Sequence, residues 1–386
     1  MWIWQRPNWP HFTYEATRLA DVFADYRQRA EQLAGRIARL PLDHQEEALV
    51  DLLVSEAIKT SAIEGEQLDR ASVRSSIMAH IGLAPQASVS RDPRADGVAA
   101  LMVSVRQHFE RPLDDALLGT WQTMVIPDVP SHAVARGGYR TGPAPMRIVS
   151  GYIGHTRLHY EAPPSARVPA EMARFLDWYN ATRPWATDHR MPGPLRAAIA
   201  HLWFESIHPF DDGNGRVGRA IADHALAQDL GYPPLSSLSS VIEVDKKAYY
   251  AILEQTQRGD LRIDDWLTWF VTTVLAAQDM ARERVAFVVE KARFFDRFRD
   301  RLNTRQHKVI ERMFAAGPTG FEGGMTAGKY IAITRCAKAT ATRDLSALLK
   351  IGALTNLPGG GRSTRYTLSH MEPAAAGVEP DEPVDG

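Results

Sequence analysis

The chain holds a single cysteine, Cys336, in 386 residues, which excludes an internal disulfide and suits a reducing compartment. It has no long apolar run. The most hydrophobic stretch, residues 266–277, is too short to cross a bilayer and reads as a core helix, so no membrane anchor is expected. The first ten residues carry tryptophans and prolines instead of a basic start followed by an apolar stretch, so no export signal is expected there. These absences make a cytoplasmic location the expectation. Net charge is missing too: 45 Lys and Arg face 46 Asp and Glu, a balance of −1, and the chain as a whole exerts no strong pull on nucleic acid or membrane. The 45% of hydrophobic and 24% of charged residues suit ordinary packed cores, and the length favours two or three domains.

One stretch organises the rest: His208-Pro209-Phe210-Asp211-Asp212-Gly213-Asn214-Gly215-Arg216-Val217-Gly218-Arg219. The apolar run 195–207 before it predicts a buried helix ending at His208, and a second helix is expected from about Arg216. Between them lie a base, a carboxylate, glycines, an amide and two arginines, which together suit a polyphosphate. Gly213 and Gly215 let backbone N–H groups approach an anion. The following helix adds its unpaired N–H groups and the positive end of its dipole. Arg216 and Arg219 share one face of its first turn, where the dipole disfavours cations unless an anion is bound. Asp212 has the oxygen chemistry for Mg2+. His208 has the chemistry of a base or nucleophile near neutral pH. Each residue alone has a plainer reading as a helix end, a turn or a solvated charge; the set does not.

The stretch resembles the Fic-family motif His-x-Phe-x-Asp/Glu-Gly-Asn-Gly-Arg-x-x-Arg at every specified position. The resemblance implies a protein adenylyltransferase that moves AMP from ATP to a Ser, Thr or Tyr hydroxyl of a target protein. It implies His208 as the base, Asp212 as the Mg2+ ligand, and Gly213, Asn214 and Gly215 as the anion hole. Arg216 would contact the α- and β-phosphates, Arg219 the γ-phosphate, and Phe210 would anchor the loop in the core.

Upstream, Trp2, Trp4, Trp9, Phe12 and Tyr14 read as packing that ties the N-terminus down. Asp43 and Glu46 look like a capping box opening a helix that runs to about Ala62, with Gly65 as its stop. Thr60, Glu64 and Gly65 match the inhibitory pattern Ser/Thr-x-x-x-Glu-Gly/Asn of autoinhibited Fic proteins. By that resemblance Glu64 pairs with Arg219 and takes the space of the γ-phosphate.

Helices are expected over 98–109, 113–125 and 169–181, with Gly137-Gly138-Tyr139-Arg140 as a turn. Two short strands, 147–151 and 158–161, make a hairpin about the turn 152–157. In the family this hairpin is a flap that clamps the target by strand addition, which places Leu158, His159, Tyr160 and Glu161 over the ATP site. The helix 246–257 carries Tyr249 and Tyr250, of which one should be core and the other free to line a pocket. By resemblance Tyr249 contacts adenine and Gln257 its ribose or base edge.

Residues 278–302 read as a long linking helix, followed by helix, helix, helix, strand, glycine turn at 358–362 and strand. That order resembles a winged helix. From residue 282 to 365 there are seventeen Lys or Arg and seven Asp or Glu. DNA binding through residues 300–370 is therefore one expectation, with Lys338 and Arg343 on the third helix and Arg362 and Arg365 on the wing. Protein docking or dimerisation is the other. The tail 371–386, with five acidic residues and no basic one, is expected to be disordered.

The expected whole is a mostly α chain: a helical inhibitory region at 1–90, a Fic-type helical domain with a β-hairpin flap at 91–280, a linker helix and winged helix at 281–370, and an acidic tail. ATP and Mg2+ are the expected substrate and cofactor. A target protein, self-modification and a homodimer are the expected partnerships. Removal of AMP by the same site, or DNA-binding regulation with a nucleotide-sensing Fic site, are the alternatives.

Overall fold

The structure, a computed structural model, describes residues 1–86, 89–127, 134–152, 155–185, 191–317, 320–357 and 364–369. It comprises two compact units, Met1–Arg282 and Glu283–Gly386.

The first unit is helical: α1 (Ala20–Ile37), α2 (Leu42–Ile63), α3 (Arg70–His80), α4 (Pro93–Gln107), α5 (Asp115–Val125), then the hairpin β1 (Arg147–Tyr152) and β2 (His155–Glu161). There follow α6 (Val168–Ala181), α7 (Gly193–Ile207), α8 (Asn214–Leu230), α9 (Leu238–Val244), α10 (Lys246–Arg258) and α11 (Asp264–Phe298), whose residues from Glu283 on belong to the second unit. Every residue of α7 is buried, which is why its sequence is mostly apolar on all faces instead of striped, with Arg196, His201, Glu205 and Ser206 as its buried polar residues. α7 packs on α8, α6 lies against α7, and α2, α4 and α5 lie against α8. The N-terminal region 1–90 is thus built into the same unit as the central helices.

The terminal aromatics pack as expected. Trp4 donates its indole N–H to the Glu161 carbonyl (2.7 Å) and Trp9 donates to Glu171 (2.9 Å). Trp9 and Phe12 both meet Trp203 edge-on.

Several element boundaries differ from expectation. The capping box at Asp43 and Glu46 is absent: Pro41 precedes the first turn of α2 and no side chain caps it. Instead Gln45 donates back to the Leu40 carbonyl at 2.7 Å. α4 begins at Pro93 because Asp92 accepts the Arg94 N–H and proline suits the first helical position. Strands β1 and β2 extend to Tyr152 and His155, with an irregularity between Ile148 and Val149. The core helix at 266–277 and the linking helix are one element, α11.

In the second unit the order is α12 (Thr304–Phe314), α13 (Ala327–Thr334), α14 (Lys338–Lys350), β3 (Leu354–Asn356) and β4 (Tyr366–Leu368). Met325 pairs antiparallel with Tyr366 beside this hairpin. Phe294, Phe298, Val309, Ile310, Leu345, Leu348 and Leu368 form a separate core. Asn303 and Gln306 make a reciprocal capping box for α12. Lys338, Arg343 and Arg365 are exposed. Arg362, the glycine turn and the acidic tail lie outside the described residues. Among those described, no helix is long and apolar enough to cross a membrane.

Candidate active site

α7 ends on His208, whose backbone is left-handed (φ 50°, ψ 61°), an uncommon conformation for a residue with a Cβ. The turn is held from outside by the buried Arg140, whose Nε donates to the His208 carbonyl (2.8 Å). The same guanidinium donates to the carbonyls of Ile207 (3.2 Å) and Pro163 (2.6 Å) and to Ser165 Oγ (3.0 Å). Burial lowers the Arg140 pKa from its ordinary value, with Asp211 and Tyr160 acting in the opposite sense. Four bonds through one side chain thus join the segment after the hairpin to the start of the loop 208–219.

The loop is braced inside as well. Phe210 is buried between Phe204 and Tyr139. Asn214 accepts the Phe210 N–H and donates to the Phe210 carbonyl, both at 2.9 Å. Its side chain is spent on the loop, so the expected anion-hole role falls to backbone N–H groups here. Gly213 (φ 89°) turns the chain into α8, and an added Cβ would meet Val125 at 3.1 Å. The Asp212 carboxylate accepts the Gly213 N–H and stays half-exposed at the mouth.

Two arginines rise from the first turns of α8, and each is met by a carboxylate from the end of α2. Arg219, 1% exposed, donates from Nη2 to Glu64 Oε1 (2.7 Å) and to the Thr60 carbonyl (3.0 Å), and from Nε to Thr60 Oγ1 (2.7 Å). Burial works against its charge, but Glu64 outweighs it together with Tyr249 and Glu205, and the Arg219 pKa is raised. Gly65 (φ 85°) ends α2 as expected, and the Glu66 N–H returns to the Ser61 carbonyl (2.9 Å). That turn brings Glu66 Oε2 to 3.1 Å from Arg216 Nη1. A Cβ on Gly215 would lie 2.1 Å from Glu64 Oε1, so the carboxylate presses on the start of α8 where an anion belongs. Among the described residues, Arg216 Nε and Arg219 Nη1 are buried without a hydrogen-bond partner, which marks further anion-binding capacity.

Other expected contacts fall elsewhere. Tyr249 is 2% exposed, bonded through its hydroxyl to His201 (2.9 Å) and packed on Trp269, so it is the inner of the two rings. The exposed ring is Tyr250, at 43%, whose hydroxyl donates to the Ile63 carbonyl. Gln257 is buried, its amide N 3.5 Å from Ser206 Oγ. On the hairpin, Tyr160 is buried and donates to the Ser206 carbonyl (2.5 Å). His159 bridges Ser150 and Glu254, both at 2.6 Å; Glu161 pairs with Arg147; the Leu158 carbonyl accepts from Arg258. Through these contacts the four residues anchor the hairpin to itself, to α7 and to α10.

Glu66 and Glu205 were not singled out by the sequence, Arg140 was read only as part of a turn, and Tyr250 was one of two candidate rings. Glu205 carried a signal: it is a carboxylate inside an otherwise apolar run. Its Oε2 lies 3.6 Å from His208 Nδ1.

Residues 112–226 match the Fic/DOC family, and the match spans the entire loop from His208 to Arg219. This central part of the chain is similar to a Fic domain. Residues 2–83, which include Thr60, Glu64 and Glu66, match a domain of unknown function, DUF4172. Part of the chain is 37% identical over 94 residues to protein adenylyltransferase fic-1 of Caenorhabditis briggsae, covering 24% of this chain and 16% of that protein. It is 36% identical over 92 residues to protein adenylyltransferase Fic of Culex quinquefasciatus, with the same coverage of 24% and 16%. The matched segment is thus a small part of these relatives' length. A Fic domain containing signalling protein from Bacteroides thetaiotaomicron shares the fold: TM-score 0.50, 18% identity, 70% of this chain and 96% of that one.

The site's fit to Mg2+ follows from its donor set. Asp212 supplies one half-exposed carboxylate, and among the described residues no group of three or more His, Cys, Asp or Glu is arranged to hold a metal ion by itself. One carboxylate suits an Mg2+ ion that arrives on nucleotide phosphates and keeps most of its water.

Proposed function

We propose that this chain is a protein adenylyltransferase held inhibited by Glu64. The observation that carries the reading is the convergence of His208, Asp212, the N-terminus of α8, Arg216 and Arg219 on one surface. That set has a base, a metal-binding carboxylate and the donors for a triphosphate. The names of the relatives support it. In the proposed step His208 takes the proton of a Ser, Thr or Tyr hydroxyl on the target protein. The hydroxyl oxygen bonds to the α-phosphorus, and the bond to the bridging oxygen breaks to release pyrophosphate. Mg2+ held at Asp212 would neutralise phosphate charge. Arg219 would take the γ-phosphate once Glu64 leaves, and Tyr250, not Tyr249, is the ring positioned for a base. While Glu64 occupies Arg219, the γ-phosphate is excluded or misplaced, and the α-phosphate misses the line of attack.

The test is incubation with ATP labelled at the α- or the γ-phosphate. Protein-bound label from α alone, lost in His208→Ala, is expected. Label from γ alone would make the site a kinase and overturn the reading.

Glu64 in the site also favours a second reading, removal of AMP with Glu64 aligning water. Release of labelled AMP from a modified protein separates the two. For the second unit, the helix-helix-helix-hairpin order and exposed Lys338, Arg343 and Arg365 support a winged helix that contacts nucleic acid. Duplex binding that weakens steeply with salt is its expected signature.

A further inference from the structure

His201 and Glu205 stand at i and i+4 on one face of the mostly apolar α7, and His208 is the residue that caps its C-terminal end. That face is buried: His201 is 0% and Glu205 5% exposed. A carboxylate placed there has to be matched by donors or positive charge. Glu205 Oε2 faces His208 Nδ1 at 3.6 Å, and Glu205 Oε1 and His201 Nδ1 have no hydrogen-bond partner among the described residues. An added Cβ on Gly218 of α8 would meet Glu205 Oε1 at 2.5 Å and His201 Nδ1 at 3.2 Å, so both groups press on the same point of the motif helix. Burial raises the Glu205 pKa, but His208, His201 and Arg219 outweigh it and keep the group ionised. Tyr249 and Tyr250 from α10 and Tyr160 from β2 also feel this carboxylate.

We infer that Glu205 is a positioning residue that holds the His208 ring with its proton on Nδ1, leaving Nε2 free to accept the proton of the attacking hydroxyl. The inference rests on the adenylyltransferase reading for its use but not for its geometry. A carboxylate behind an imidazole fixes tautomer and orientation and stabilises the imidazolium that forms as the base takes its proton. The 3.6 Å separation is the looser contact usual before substrate binds. The backbone agrees with this division of labour: Arg140 holds the His208 carbonyl, Glu205 the ring.

The test uses the full chain labelled with 15N-histidine, with His208 assigned by its loss in His208→Ala. Wild type is expected to show Nδ1 protonated and Nε2 bare above neutral pH, and Glu205→Ala to lose that preference. A wild-type ring protonated on Nε2, or a preference retained in Glu205→Ala, overturns the inference. In the released Glu64→Gly background, Glu205→Ala is expected to lower kcat at least about tenfold while KM for ATP changes by less than about threefold. The near-isosteric Glu205→Gln keeps an acceptor oxygen and should fall between. A fall in ATP binding alone, with kcat intact, would make Glu205 merely structural. If no variant transfers AMP, the functional reading fails, while the 15N measurement still decides the role of Glu205.

Discussion

Glu66 Oε2 sits 3.1 Å from Arg216 Nη1, two residues beyond the Glu64 that holds Arg219. The chain therefore puts a carboxylate on each motif arginine from a single turn at the end of α2. The pair imitates two charges of a polyphosphate on the cradle meant for one.

The first prediction concerns that second contact. Glu66 is partly exposed, so its ion pair contributes little, of the order of 1 kcal/mol or less. Glu66→Ala should tighten ATP binding by about two- to fivefold without raising AMP transfer much, because Glu64 remains. Calorimetric titration with ATP, and with pyrophosphate, checks this. Unchanged affinity for both would show that the contact does not compete with phosphate.

A second prediction concerns Arg140. Its guanidinium satisfies three carbonyls and one hydroxyl and sustains the left-handed turn at His208. Arg140→Ala leaves buried acceptors unpaired and should cost more than about 2 kcal/mol in urea unfolding. Arg140→Lys should recover only part, since an ammonium cannot span the same fork of partners.

A third concerns acid. His224 on α8 is buried against Tyr179 and the His108 carbonyl, and burial, with Arg196, lowers its pKa to about 3. An unfolded histidine titrates near 6.5, so below that pH the unfolded chain binds a proton the folded one refuses. Stability is full above about 6.5 and declines as pH falls toward 3, by about 1.4 kcal/mol per unit. Going from pH 7.5 to 5.5 should cost about 1.4 kcal/mol from this group, and His224→Phe should remove that part of the slope. All nine tryptophans precede residue 282, so their fluorescence in urea reports the first unit alone. An identical slope in the variant would contradict the assignment.

The loop 208–219 was legible because a base, a carboxylate, glycines and two arginines at the start of a helix together suit an anion, whereas Glu64 stood out only through its resemblance to the inhibitory pattern. Glu66 was not, because a carboxylate in a loop looks solvated until Gly65 is seen to turn it inward. Tyr249 and Tyr250 were recognised as an inner and an outer ring, but sequence could not say which; packing on His201 and Trp269 decides it. Arg140 reads as part of a glycine turn, since its partners lie on carbonyls 23 to 68 residues away. The helix pattern was readable through its apolar periodicity. Its boundaries moved where Asp92 and Pro93 start a helix early and where α11 runs on without a break.

The central claim is that Glu64 on Arg219 keeps the site from aligning ATP. The most direct measurement compares the initial rate of α-labelled AMP incorporation into protein by wild type and by Glu64→Gly, at equal folded concentration with Mg2+ present. The account predicts a rise of at least about tenfold in Glu64→Gly, the factor that 1.4 kcal/mol of relieved competition supplies. Equal rates in the two proteins would contradict it.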